Sequence, residues 1–171
     1  MASLWRPTPR ASHAAKEWII REFEMRGLSP PNCTPEALAQ ALERERNITI
    51  EFRPHESDDP GVYGLLYRKE GQEHVYVILL RPTYSLAFQR LIMFHELAHI
   101  LFDHALTEIA GEGALRGYLV SDQDDAIAEA FAIGAMQYSF TSLNQPPTPT
   151  DIDEDWSTSG LGRFLRRIDR R

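Results

Sequence analysis

Cysteine is nearly absent from this 171-residue chain. Its single thiol, Cys33, rules out an internal disulfide and any metal site built on cysteines. Lying in a proline-rich loop, Cys33 is expected as a solvent-facing or half-buried thiol with no catalytic part. Long apolar runs are missing as well. No uninterrupted apolar stretch approaches the ~18 residues that a bilayer-spanning helix needs, and the uncharged run of residues 130–150 is broken by polar residues and prolines. Residues 1–10 carry Trp5, Pro7 and Pro9 but no apolar signal-peptide core. No membrane partner and a reducing cytoplasm are therefore expected. A basic excess is also lacking: the net charge of −7 opposes a broad grip on phosphates, so direct nucleic-acid binding is not expected. No internal repeat is visible. What is present, 43% hydrophobic and 25% charged residues, is the composition of an ordinary globular chain, long enough for one domain with a proper core and an appendage.

The apolar periodicity divides the chain. Residues 11–26 carry a helical stripe of Ala11, Ala15, Trp18, Ile19 and Phe23, with Ser12 as a candidate N-cap and Gly27 placed to stop the helix. Thr34-Pro35-Glu36 supplies a cap, a first-turn proline and an acid for a second helix to about Arg46, burying Leu38, Ala41 and Leu42. Alternation then replaces the helical period. Ile48, Ile50 and Phe52 predict a strand with one wet face, residues 62–67 a second strand, and residues 74–80 a nearly all-apolar, interior third. The polar turn at residues 69–72 joins the last two as a hairpin. His55 and His74, isolated in a loop and at a strand end, are expected at the surface.

Residues 91–104 contain His95-Glu96-Leu97-Ala98-His99 within an apolar, breaker-free run. On a helix, residues four apart lie about 40° apart around the axis and ~6 Å apart along it. His95 and His99 therefore point one way and can share one Zn²⁺ through imidazole nitrogens. Glu96, the next residue, stands beside such a metal, placed to take a proton from its water. The pattern and its setting imply metal-assisted hydrolysis. If the helix continues, His104 lies about 140° round from His99 and has a structural role rather than a metal contact. Asp103 is either an acceptor for a ligating histidine or simply exposed.

Gly111, Gly113 and Gly117 mark a crossing loop, and residues 118–120 are too short to classify. Asp122, Asp124 and Asp125 then open an Ala-rich buried helix whose positive N-terminal end suits them. At Asn144 the composition shifts to a proline-rich, acidic linker. Leu161, Phe164, Leu165 and Ile168 follow as an i, i+3, i+4, i+7 stripe among arginines, the pattern of a helix docked through its apolar face, with a mobile partner- or nucleic-acid-binding tail as the alternative.

The order of these elements, with Gln89-Arg90-Leu91-Ile92-Met93-Phe94-His95-Glu96-Leu97-Ala98-His99, His104, Asp125, Ala128 and Phe131-Ala132, resembles the ImmA/IrrE family of small zinc metallopeptidases. The resemblance covers about residues 11–138. It implies an α+β, zincin-like domain over residues 1–143, with a short, about three-stranded, mostly antiparallel sheet packed on the motif helix and flanking helices. Residues 144–171 form the appendage. It also implies a Zn²⁺ endopeptidase that cleaves a helix-turn-helix repressor, relieving repression in a stress response or in mobile-element control. His95 and His99 would be metal ligands and Glu96 the catalytic base. Asp125 stands where the family usually has a glutamate as third ligand. Being one methylene shorter, it leaves Glu129, one turn further on, as an alternative ligand or as an acceptor for a ligating histidine, with Asp122 and Asp124 as further alternatives for the third ligand. An oxyanion donor is needed, with His104 and Tyr118 as candidates. The rival reading is a non-catalytic zinc-fold interaction module, a regulator or toxin–antitoxin component.

Overall fold

The computed structural model describes residues 9–55, 64–69, 71–104, 107–109, 115–119 and 121–140. The linker and arginine-rich stretch of residues 144–171, the glycines at 111 and 113, and Trp5 and Pro7 lie outside the described residues, as do the expectations resting on them.

The chain runs α1 (Pro9–Glu24), α2 (Pro35–Arg46), β1 (Thr49–Pro54), β2 (Gly64–Lys69), β3 (Gln72–Leu80), α3 (Leu86–Leu101), β4 (Thr107–Ile109), β5 (Leu115–Leu119) and α4 (Asp122–Phe140). This is an α+β domain. The cap foreseen for α2 forms, with the Thr34 side chain accepting from the Ala37 N–H. The apolar strand β3 is interior, paired in parallel with β1 and in antiparallel with β2. Gly71, at φ 71°, takes the left-handed conformation that the β2–β3 turn requires. The three expected strands form the body of the sheet. Two short strands from the region read as a crossing loop extend it, giving the order β1-β3-β2-β5-β4. Gly117 thus lies in a strand, paired with Tyr67 and Ile109.

Helix α3 packs against β2 and β3 on one side and against α2 and α4 on others. It is apolar nearly all round, which is the signature of a helix enclosed by its neighbours. The aromatic core joins α1 and α4 to its end: Phe23 stacks on Phe131 at 5.9 Å and Trp18 on Phe102 at 4.8 Å between ring centroids. At Gly134 a Cβ would stand 2.0 Å from Ile19 Cδ1, so this glycine leaves room on α4 for the buried Ile19 side chain of α1.

Cys33 departs from expectation. It is fully buried, its backbone carbonyl accepts from the Ser139 hydroxyl, and burial pushes its thiol up to about 11. The loop runs beneath the end of α4 rather than over solvent. His74 is exposed and His55 half-buried, and neither belongs to the group of side chains that could hold a metal ion. Among the described residues, no helix is long and apolar enough to cross a membrane.

Candidate metal centre

Ser85 caps α3 by accepting from the Phe88 N–H, and nearly three turns on, the helix carries His95 and His99 on one face. Their Nε2 atoms lie 3.1 Å apart. Helix α4 brings a carboxylate to the same point. Ser121 starts that helix, with its hydroxyl accepting from the Asp124 N–H and its carbonyl from the Asp125 N–H. Asp125 Oδ1 then stands 3.2 Å from His95 Nε2 and 3.9 Å from His99 Nε2. Four-coordinate zinc with ligand bonds of about 2.05 Å sets its donors roughly 3.3 Å apart. The three measured separations bracket that value. His95, His99 and Asp125 form a group that could hold a metal ion.

The electrostatics follow from burial and from this crowding. His99 is pushed down to about 3, first by burial and then by His95 and His104, so its ring is neutral and keeps a lone pair for a cation. Burial opposes charge on His95, but its hydrogen bond to Asp125 and the carboxylates of Glu96, Asp125 and Glu129 outweigh that and raise its pKa. Asp125 is lowered, chiefly by the same hydrogen bond to His95. Glu96 is buried and its carboxyl is raised by burial, against the pull of His95.

No family model, curated protein or solved structure matches this chain. Its chemistry has to be read from the residues themselves.

Of the carboxylates weighed as third ligand, Asp125 reaches the histidine pair directly. Glu129 does not belong to the ligand triangle. It is buried nearby, 6% exposed, with Oε1 lacking a hydrogen-bond partner among the described residues, and burial raises its carboxyl to about 7. A buried carboxyl with an unpartnered oxygen, close enough to His95 to feel its charge, is costly to ionise without a cation near it, which fits a metal held by the triangle.

His104 is not 140° round a continuing helix. Helix α3 stops at Leu101, and Asp103 takes φ 51°. The His104 N–H then bonds the His99 carbonyl at 3.1 Å and the Asp103 N–H bonds the Ile100 carbonyl at 3.3 Å, the paired bonds of a Schellman cap. That cap folds His104 back onto the last turn, where its Nδ1 lies 2.9 Å from His99 Nδ1. Asp103 is exposed and paired with Arg46 rather than hydrogen-bonded to a histidine, although its charge still favours protonation of His104. Sequence reasoning missed the His99–His104 contact because no glycine marks the cap. Aspartate, one of the few other residues that tolerate the left-handed region, was the available signal. Asp124, whose Oδ1 lies 3.8 Å from His104 Nε2, was likewise not singled out for this contact. Tyr118 lies on β5 opposite Glu108; its side chain is outside the described set.

Proposed function

We propose that the chain is a zinc-dependent endopeptidase of zincin-like architecture, with His95, His99 and Asp125 as metal ligands and Glu96 as general base. The observation that carries this reading is the His95–His99–Asp125 triangle, with Glu96 adjacent in the same helix. Nitrogen and oxygen donors in a three-residue set suit zinc and leave a fourth position for water. Zinc held there supplies Lewis acidity and brings the pKa of a water towards neutrality.

The chain's residues do the rest. His99, neutral, offers its Nε2 lone pair, and Asp125 offers a carboxylate whose lowered pKa keeps it ionised. Glu96 takes the proton of the attacking water and returns it to the leaving amine. Burial raises its pKa above that of an ordinary exposed glutamate, which makes it the stronger base. His104, its ring turned to His99 and Asp124, is engaged away from the oxyanion role.

The substrate class follows from the resemblance carried by residues 89–99, 104, 125, 128 and 131–132: a helix-turn-helix repressor cut at a specific site. The test is cleavage of such a repressor, encoded beside this chain, by the zinc-loaded protein and by Glu96→Gln. Cleavage by the first and a loss of about 10²–10⁴ in rate for the second are expected. A repressor that binds the zinc-loaded protein and stays intact would instead favour the non-catalytic interaction module.

A further inference from the structure

We propose that His104, backed by Asp124, is a positioning residue that fixes His99 as the Nδ1–H tautomer, so that the His99 Nε2 lone pair faces His95 and Asp125. The inference rests on the metal reading for its purpose, but not for its test. At 2.9 Å between the two Nδ1 atoms, one ring must donate and the other accept. Two neutral arrangements satisfy that. In the first, His99 donates from Nδ1, His104 accepts, and the proton of His104 sits on Nε2, facing Asp124 Oδ1 at 3.8 Å. In the second, His104 donates from Nδ1 and turns a bare Nε2 lone pair towards that carboxylate. The same arrangement puts a proton on His99 Nε2, within the triangle it forms with His95 Nε2 and Asp125 Oδ1. The Asp124 carboxylate favours the first arrangement, because an N–H dipole aimed at an anion is favourable and a lone pair aimed at it is not. Asp125 Oδ1, 3.9 Å from His99 Nε2, would by itself favour the second, but it accepts from His95 Nε2 at 3.2 Å, and with that nitrogen protonated a second proton on His99 Nε2, 3.1 Å away, would meet it head on, so His99 Nε2 keeps its lone pair.

Asp124 is itself held in place. The Ser121 hydroxyl donates to Asp124 Oδ2 at 2.8 Å. The His104 side chain, 6% exposed, is fixed by the Schellman cap, which in turn is anchored by Phe102 between Trp18 and Phe131. The chain Ser121–Asp124–His104–His99 thus sets which nitrogen of a buried ring is free, and it does so through two helix ends rather than one.

Two measurements decide the matter. Long-range ¹H–¹⁵N spectra of the metal-free protein at neutral pH should show His99 protonated on Nδ1 and His104 on Nε2. His99 protonated on Nε2, or a doubly protonated His104, overturns the proposal. In zinc competition with a chelator, His104→Phe keeps the ring volume but removes the acceptor, and should weaken affinity about 10–100-fold. His104→Asn keeps an acceptor near the Nδ1 position and should stay within a few-fold of the parent. A packing role predicts the reverse order, and that order would also overturn the proposal. If the parent chain binds no zinc, the metal reading fails, while the tautomer spectra still decide this one.

Discussion

Replacing Glu129 by glutamine in the metal-free protein should stabilise it, by an amount that depends on pH. Glu129 is 6% exposed, its Oε1 has no partner among the described residues, and burial raises its carboxyl from 4.5 to about 7. A folded-state pKa above the unfolded value means that ionisation opposes folding. The penalty is absent well below pH 4.5, grows as pH rises between the two values, and is complete above pH 7. At ~1.4 kcal/mol per unit, it reaches about 1 kcal/mol at pH 5 and about 3 kcal/mol at pH 8. Glutamine fills the same space and cannot ionise. Urea unfolding of both proteins in chelator should therefore show a gap that widens by roughly 2 kcal/mol from pH 5 to pH 8. Added zinc should narrow the gap at pH 8, because a dication beside Glu129 favours its charged form. A gap that does not change with pH, or a Gln variant less stable than the parent at pH 8, refutes the reasoning.

Other outcomes follow from the same geometry. Asp125→Ala should weaken zinc binding more than Glu129→Ala in a chelator competition, since only Asp125 stands within the ligand triangle; the opposite order would make Glu129 the ligand. Glu96→Gln should retain the metal content of the parent, because Glu96 lies outside that triangle, so a zinc-free Gln variant would assign it a binding role. Gly134→Ala places a Cβ 2.0 Å from Ile19 Cδ1. Overpacking of ~1–3 kcal/mol should there exceed the roughly 1 kcal/mol of helix propensity gained, giving a net loss in a melting experiment. With Ile19→Val, which removes that Cδ1 atom, the same substitution should become neutral or stabilising.

Much of the scaffold was legible because local chemistry and tertiary packing agree. Thr34-Pro35 starts α2 where a cap and a first-turn proline should start a helix. The apolar run of β3 is interior, and the histidine pair converges because a helix fixes its i, i+4 geometry. What was not legible depends on contacts between distant segments. β4 and β5 are short, and their pairing with each other and with β2 defines them more than any period of their own. The left-handed turn at Asp103 looks like one more residue of an apolar helix until Phe102 is seen packed on Trp18 and Phe131. His104 moves with that turn. The burial of Cys33 depends on α4, more than 100 residues away, passing above its loop, as the 106-residue separation of the Ser139–Cys33 hydrogen bond records. The choice between Asp125 and Glu129 likewise rests on how close α4 comes to α3.

The most direct test of the centre is the zinc content of the purified protein, measured by elemental analysis beside that of His99→Ala and Asp125→Ala. One zinc per chain in the parent, and little or none in either variant after dialysis, is the expected result. A parent without zinc, or either variant retaining a full equivalent, would contradict the claim that His95, His99 and Asp125 together hold the metal.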